Sequence, residues 1–259
     1  MQEIGEGMTA NLITYLLIFT RITSFIVISP GFSFKSMPIY AKVLIALALT
    51  LGVSTGVPLI TVEMNQLVLV FYLVREVLVG LAMGFISQLV FSAIEIAGQL
   101  IDFQVGFSMA AMFDPATGVQ ASNYGRLAYW LSLAIFFFSD MHLVMIESLL
   151  ASFNVLPIGV AQLTSQSLTG TMEVFVEIFR IALGLAAPLM IVALITDIVL
   201  GIISRSVPQI NVLMLGMPLK ILASFFFMIL LLPVFVGNIA RLMPLMSEYV
   251  TEFVKSLNN

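Results

Sequence analysis

The residues able to do chemistry are few, and most are set in apolar surroundings. The 259-residue chain has no cysteine and a single histidine, His142. Without thiols there are no disulfides, thiolate nucleophiles or cysteine-held clusters, and one histidine cannot build a His-rich metal site. No Ser/His/Asp constellation and no G-x-x-x-x-G-K-[ST] phosphate loop is present, which argues against hydrolysis and against nucleotide-driven transport. No catalytic, cofactor-binding or metal-binding residue is therefore assigned. What remains are ionisable groups within apolar segments, which are costly there and are usually paired or functional. Glu177 and Arg180, three residues apart, are spaced for an ion pair on one helix face. Arg75 and Glu76 point about 100° apart on a helix, so each needs its own partner. Arg21 is placed to snorkel toward the basic residues that follow its segment. Asp140 and His142 suit either a proton relay or a capped helix end at the outer surface. The second is favoured, because pumps generally need more than one protonatable pair at depth.

The elements that carry these groups follow from composition. The chain is 61% hydrophobic and 9% charged, with a mean hydropathy of +1.14. Soluble domains run at roughly 45–50% apolar and about 25% charged, so the expected class is an all-α polytopic membrane protein. A net charge of −4 supplies no basic patch for nucleic acid. Six apolar stretches qualify as spans: 10–29, 43–61, 66–91, 127–147, 173–200 and 221–240. Pro58, Pro188 and Pro233 lie inside three of them and predict bends. Residues 1–9 carry Glu3 and Glu6 and no Lys or Arg, so the first stretch reads as a retained helix and not as a signal peptide. Lys35, Lys42, Arg126, Arg205 and Lys220 mark three cytoplasmic loops and put the N-terminus outside. Arg241 and Lys255 then fall on the outer side, so charge and the parity of six spans disagree at the tail. Gly52-x-x-x-Gly56 and Gly80-x-x-x-Gly84 allow close helix approach, although this spacing is common by chance.

Two further stretches are neither ordinary span nor ordinary loop. Gln88, Ser92, Glu95, Gln99 and Asp102 recur at steps of 4, 3, 4 and 3, one polar stripe on a helix. A surface-lying amphipathic helix is normally Lys/Arg-rich, whereas this stripe holds acids, amides and a hydroxyl. A water-filled lumen or a polar subunit interface is the preferred reading. Residues 106–125 follow, eleven of twenty being Gly, Ala, Ser, Thr or Asn. Asp114-Pro115 there is a turn or helix-start signal. Composition alone favours an ordinary surface loop over a constriction loop buried in protein.

The runs GQLIDFQVGFSMAAMFDPATGVQ (98–120) and SRSVPQINVLMLGMPLKI (204–221) resemble the FliR family. These are membrane components of the bacterial flagellar export apparatus, related to SctT-type injectisome proteins, and the resemblance covers essentially the whole chain. It implies a single membrane domain over 1–259, built of about six long, kinked helices in hairpins and packed in a hetero-oligomeric export gate. It also implies FliP-like and FliQ-like partner subunits, contacts with FlhB-like and FlhA-like export proteins, and unfolded flagellar subunits in transit. The implied location is the bacterial cytoplasmic membrane, at the flagellar basal body. In such a gate the loop would act as a plug, with Phe107, Met109, Met112 and Phe113 as a soft seal shaped by Asp114, Pro115 and Gly118. The second run, with Pro208, Gln209, Asn211, Gly216, Pro218 and Lys220, would be a cytoplasm-proximal turn touching partner subunits. An injectisome component is the nearest alternative. A small-solute secondary transporter using Glu95 and Asp102, or Asp140 and His142, is a more distant one.

Overall fold

A computed structural model describes residues 2–34, 37–58, 66–107, 122–161, 165–206 and 212–258. Among these are eight helices: α1 (Gln2–Ile28), α2 (Ile39–Ser54), α3 (Gln66–Val105), α4 (Asn123–Phe138), α5 (Met141–Val155), α6 (Ser165–Ser206), α7 (Val212–Leu242) and α8 (Leu245–Ser256). The all-α membrane class expected from composition holds. Four stretches are long and apolar enough to cross a bilayer, or up to five if α4 and α5 make one broken span.

The six expected spans need correction at their edges. The second shrinks to the 16 residues of α2, which ends before Pro58. The third merges with the polar stripe into α3, whose 40 residues extend about 60 Å, twice the bilayer core. Hydropathy separated the two because the stripe lowers the local average without interrupting helix propensity. The fourth is split into α4 and α5 at Ser139–Asp140, where Asp140 takes a left-handed φ of 56°. Asp140 stands at the N-cap position of α5, yet its side chain makes no capping bond. Pro188 and Pro233 do lie inside α6 and α7.

The chain divides into two compact units. The first comprises residues 1–89, 140–175 and 244–259. Its core is apolar and helical in period, as in Leu17, Ile18, Ile22 and Phe25 of α1, with Met83 and Ile86 of α3. A Cβ on Gly80 would strike the Arg21 carbonyl and stand 2.8 Å from Ser24 Cβ, and one on Gly84 would sit 3.0 Å from the Phe25 carbonyl oxygen. The Gly80-x-x-x-Gly84 spacing is therefore where α1 and α3 cross. Gly52-x-x-x-Gly56 does nothing comparable inside the chain, since Gly52 has no atom within 4 Å of a Cβ. In α8 and its C-cap residue, Met246, Val250, Val254 and Leu257 recur at steps of 4, 4 and 3 and are buried, while Glu248, Glu252 and Lys255 face out. That stripe packs on α5.

The second unit comprises residues 90–139 and 176–243. Here α3 lies against α4 so closely that a Cβ on Gly98 would run into the Gly125 backbone. Phe91 fills the same interface, edge-on to Phe136 (5.7 Å between centroids) and Tyr129 (6.0 Å). The long helices of this unit expose apolar side chains such as Ile191, Ile195, Ile198, Phe226 and Leu230, the surface expected where lipid or other subunits form the surroundings.

Candidate functional site

Arg21, Arg75, Glu76 and Asp102 are gathered into two clusters, one in each unit. In the first unit Arg21 does not snorkel. It is fully buried, and its Nε donates to Glu76 Oε2 at 2.6 Å, with Glu76 equally buried. Nη1 of Arg21 donates to the Leu156 carbonyl (3.0 Å), to Ser152 Oγ (3.3 Å) and to the Ser152 carbonyl (3.4 Å). The guanidinium also lies 4.4 Å from the centre of the Phe153 ring. Nη2 has no partner among the described residues. Arg21 is enclosed by protein with a carboxylate and carbonyls within reach, so pairing wins over snorkelling.

Glu76 alone takes Arg21 as its charged partner, as the angular offset from Arg75 allows, yet both neighbours also bond Gly159. Glu76 Oε1 accepts the Gly159 N–H at 2.9 Å, and Arg75 Nη1 donates to the Gly159 carbonyl at 2.8 Å. Gly159 has a φ of +78°, and any Cβ there would fall on the Tyr72 ring, so only glycine fits. One acid and two bases thus tie α1, α3, α5 and the turn after α5 into a single knot.

In the second unit the centre is Asp102, on the last turns of α3 and buried. Its carboxylate accepts the Tyr124 N–H (3.0 Å to Oδ2, 3.2 Å to Oδ1), the Gly125 N–H at 3.4 Å and the Ser122 hydroxyl. Ser122 is itself the N-cap of α4, its Oγ accepting the Gly125 N–H at 2.8 Å. An acid from one helix therefore neutralises the free N–H groups at the start of another. Tyr124 then extends the cluster to α7: its hydroxyl is 3.0 Å from Ser224 Oγ, and its ring packs against Phe225 at 5.6 Å. Phe107 lies edge-on to both Tyr124 and Phe225, at 6.0 Å in each case. Residues 107 and 122, the flanks of the stretch 108–121, meet at this one cluster.

Comparison with known proteins decides the family. The sequence model for "Bacterial export proteins, family 1" matches residues 12–246. The chain belongs to this family. It is 31% identical to the flagellar biosynthetic protein FliR of Bacillus subtilis strain 168, over 85% of this chain and 86% of that one. It is 28% identical to the FliR of Escherichia coli K12, over 100% of this chain and 95% of that protein. The Yop proteins translocation protein T of Yersinia pestis is 32% identical over 61% of this chain and 62% of its own.

Of the residues expected to form a plug, Phe107 is in the Tyr124 cluster, and Met109, Met112, Phe113, Asp114, Pro115 and Gly118 lie outside the described residues. The polar stripe is on one helix as expected, but its members differ. Asp102 is buried and already bonded within the chain, Gln99 is exposed, and Gln88, Ser92 and Glu95 are half-buried. The expected 204–220 turn is largely helix instead, with residues 204–206 in α6 and 212–220 in α7. Pro218 and Gly216 do not break α7; Pro218, six residues after the helix begins, lies past the first turn and removes one backbone hydrogen bond without ending the helix. Pro208, Gln209 and Asn211 lie outside the described residues. Lys220 pairs within the chain, its Nζ donating to Asp197 Oδ2 of α6 at 2.7 Å. The Glu177–Arg180 pair forms as expected, at 3.1 Å on an exposed face.

Sequence reasoning missed Ser122, Tyr124 and Ser224 as partners of Asp102, and Gly159 as the focus of Arg75 and Glu76. Pro157-x-Gly159 is a turn signal, and Ser122 stands three residues before Gly125 as an N-cap would. Neither signal says which distant side chain completes the bond.

Proposed function

We propose that this chain, a membrane component of the flagellar-type protein export gate, joins FliP-like and FliQ-like subunits in the bacterial cytoplasmic membrane to line the channel for unfolded flagellar subunits. FlhB-like and FlhA-like proteins are its further partners at the basal body. Within that channel residues 107–120 act as the plug, with Met109, Met112 and Phe113 as an apolar collar able to repack around varied chains. The observation that carries this reading is the cluster at Asp102. A loop that must seal yet yield needs fixed ends, and Phe107 on one side and Ser122 with Tyr124 on the other are held by the same buried acid and aromatic group. Glu95, Gln99, Ser92 and Gln88, continuing along α3, offer polar groups to the lumen or to a neighbouring subunit. Pro208, Gln209 and Asn211, with Gly216 and Pro218, serve the cytoplasm-proximal contact with partners.

Deleting residues 107–120 in cells that assemble the complete gate tests the plug: small ions should leak across the membrane. A sealed membrane with the gate assembled would remove the loop from the barrier. The translocation protein of Yersinia pestis supports a second reading, an injectisome component, through its shorter region of similarity. Neighbouring genes for flagellar or injectisome structural proteins separate the two.

A further inference from the structure

A cavity of about 250 Å³ opens between α6 and α7 in the second unit, lined by Ile181, Gly184, Leu185, Asn238, Arg241 and Leu242. Four of these are apolar or have no side chain. The other two, Asn238 and Arg241, are three residues apart on α7 and reach the same cavity. Among the described residues the exposed Arg241 forms no ion pair, and neither side chain has a hydrogen-bond partner. The dipole at the end of α7 explains why a cation is tolerated in its last turn. It does not explain why an amide shares the cavity or why the facing wall, Ile181, Gly184 and Leu185 of α6, offers no polar side chain. At Gly184 a Cβ would find nothing within 4 Å, so a slot remains beside the two polar heads.

We propose that this cavity binds one anionic phospholipid of the surrounding membrane. Arg241 offers only donors, and the Asn238 amide adds two more, a set that a phosphodiester answers with acceptors alone. The apolar remainder and the slot at Gly184 take the upper part of an acyl chain. The position suits this ligand, because Arg241 follows the long apolar run of α7 and so stands where a spanning helix leaves the hydrocarbon. Basic cavities between spanning helices are a recurrent way of holding acidic headgroups. A partner subunit's carboxylate could answer the same donors but would leave the Gly184 slot unfilled. The proposal needs only the membrane setting and stands apart from the plug reading.

The test is native mass spectrometry of the full chain, extracted in mild detergent and offered equal amounts of phosphatidylglycerol and phosphatidylcholine with matched acyl chains. The native chain should retain phosphatidylglycerol preferentially. Arg241→Ala should weaken that retention about tenfold, the loss of one charge-assisted contact. Gly184→Leu, which fills the slot and leaves both donors, should reduce it as well, whereas Arg126→Ala on α4 should not. Equal retention of the two lipids by the native chain, or unchanged retention in Arg241→Ala, would overturn the proposal. So would loss of the lipid when the chain is purified within its complete export complex, with Arg241 cross-linking to an acidic residue of another subunit.

Discussion

Cutting the Arg21–Glu76 knot from one side should unfold more of the chain than cutting it from both. In Glu76→Gln the amide oxygen still accepts the Gly159 N–H, but Arg21 remains a fully buried cation with no counter-ion. In Arg21→Met the carboxylate is stranded instead, and the Leu156 carbonyl loses a donor. Breaking a buried pair by removing one partner costs about 3–5 kcal/mol, whereas replacing both by neutral groups of similar size is often close to neutral. Each single variant should therefore lose about 3–5 kcal/mol. The double variant should lose about 1–2 kcal/mol, for the donor missing at Leu156. At about 2–4 °C per kcal/mol for a chain of this size, the single variants fall by roughly 6–20 °C in Tm and the double by a few degrees. The assay is loss of the monodisperse elution peak after heating in detergent. The reasoning is refuted if the two single losses simply add in the double variant, since additive losses mean no coupling across the 2.6 Å contact.

Three other outcomes follow from the same geometry. Asp102→Asn keeps the shape but weakens four bonds to the start of α4, so it should cost about 1–3 kcal/mol and raise ion leakage through an assembled gate, read as membrane conductance. Gly98→Ala forces a methyl into the Gly125 backbone and should lower stability by about 1–3 kcal/mol, whereas Gly52→Ala, which meets open space, should not, as thermal elution assays would show. Lys220→Met breaks a pair whose Asp197 is well exposed, so the loss should stay within about 1 kcal/mol in the same assay.

Much of this protein was legible in its sequence because the membrane constrains helices so strongly. The class, the long helices, the prolines inside α6 and α7, and the separate needs of Arg75 and Glu76 all follow from hydropathy and helical geometry. The errors have physical causes. Hydropathy averaging divided α3, because a polar stripe looks like an end when only the mean is read. It fused α4 with α5, because a two-residue break at Ser139–Asp140 barely lowers an apolar average. Snorkelling is a local argument that sends Arg21 to the surface, whereas the acid that holds it lies 55 residues away. The same limit hid the Ser122, Tyr124 and Ser224 set. A sequence shows that Asp102 must be satisfied, and only the packing of α3 on α4 through Gly98 shows by what.

The central claim, that this chain is one subunit of an export gate, is tested most directly by what it carries out of the membrane. The chain is tagged, extracted in mild detergent with its genomic neighbours expressed, and the recovered particle is identified by mass spectrometry. The account predicts one discrete particle containing FliP-like and FliQ-like subunits. Recovery of the chain alone, with those subunits present in the same membrane, would contradict it.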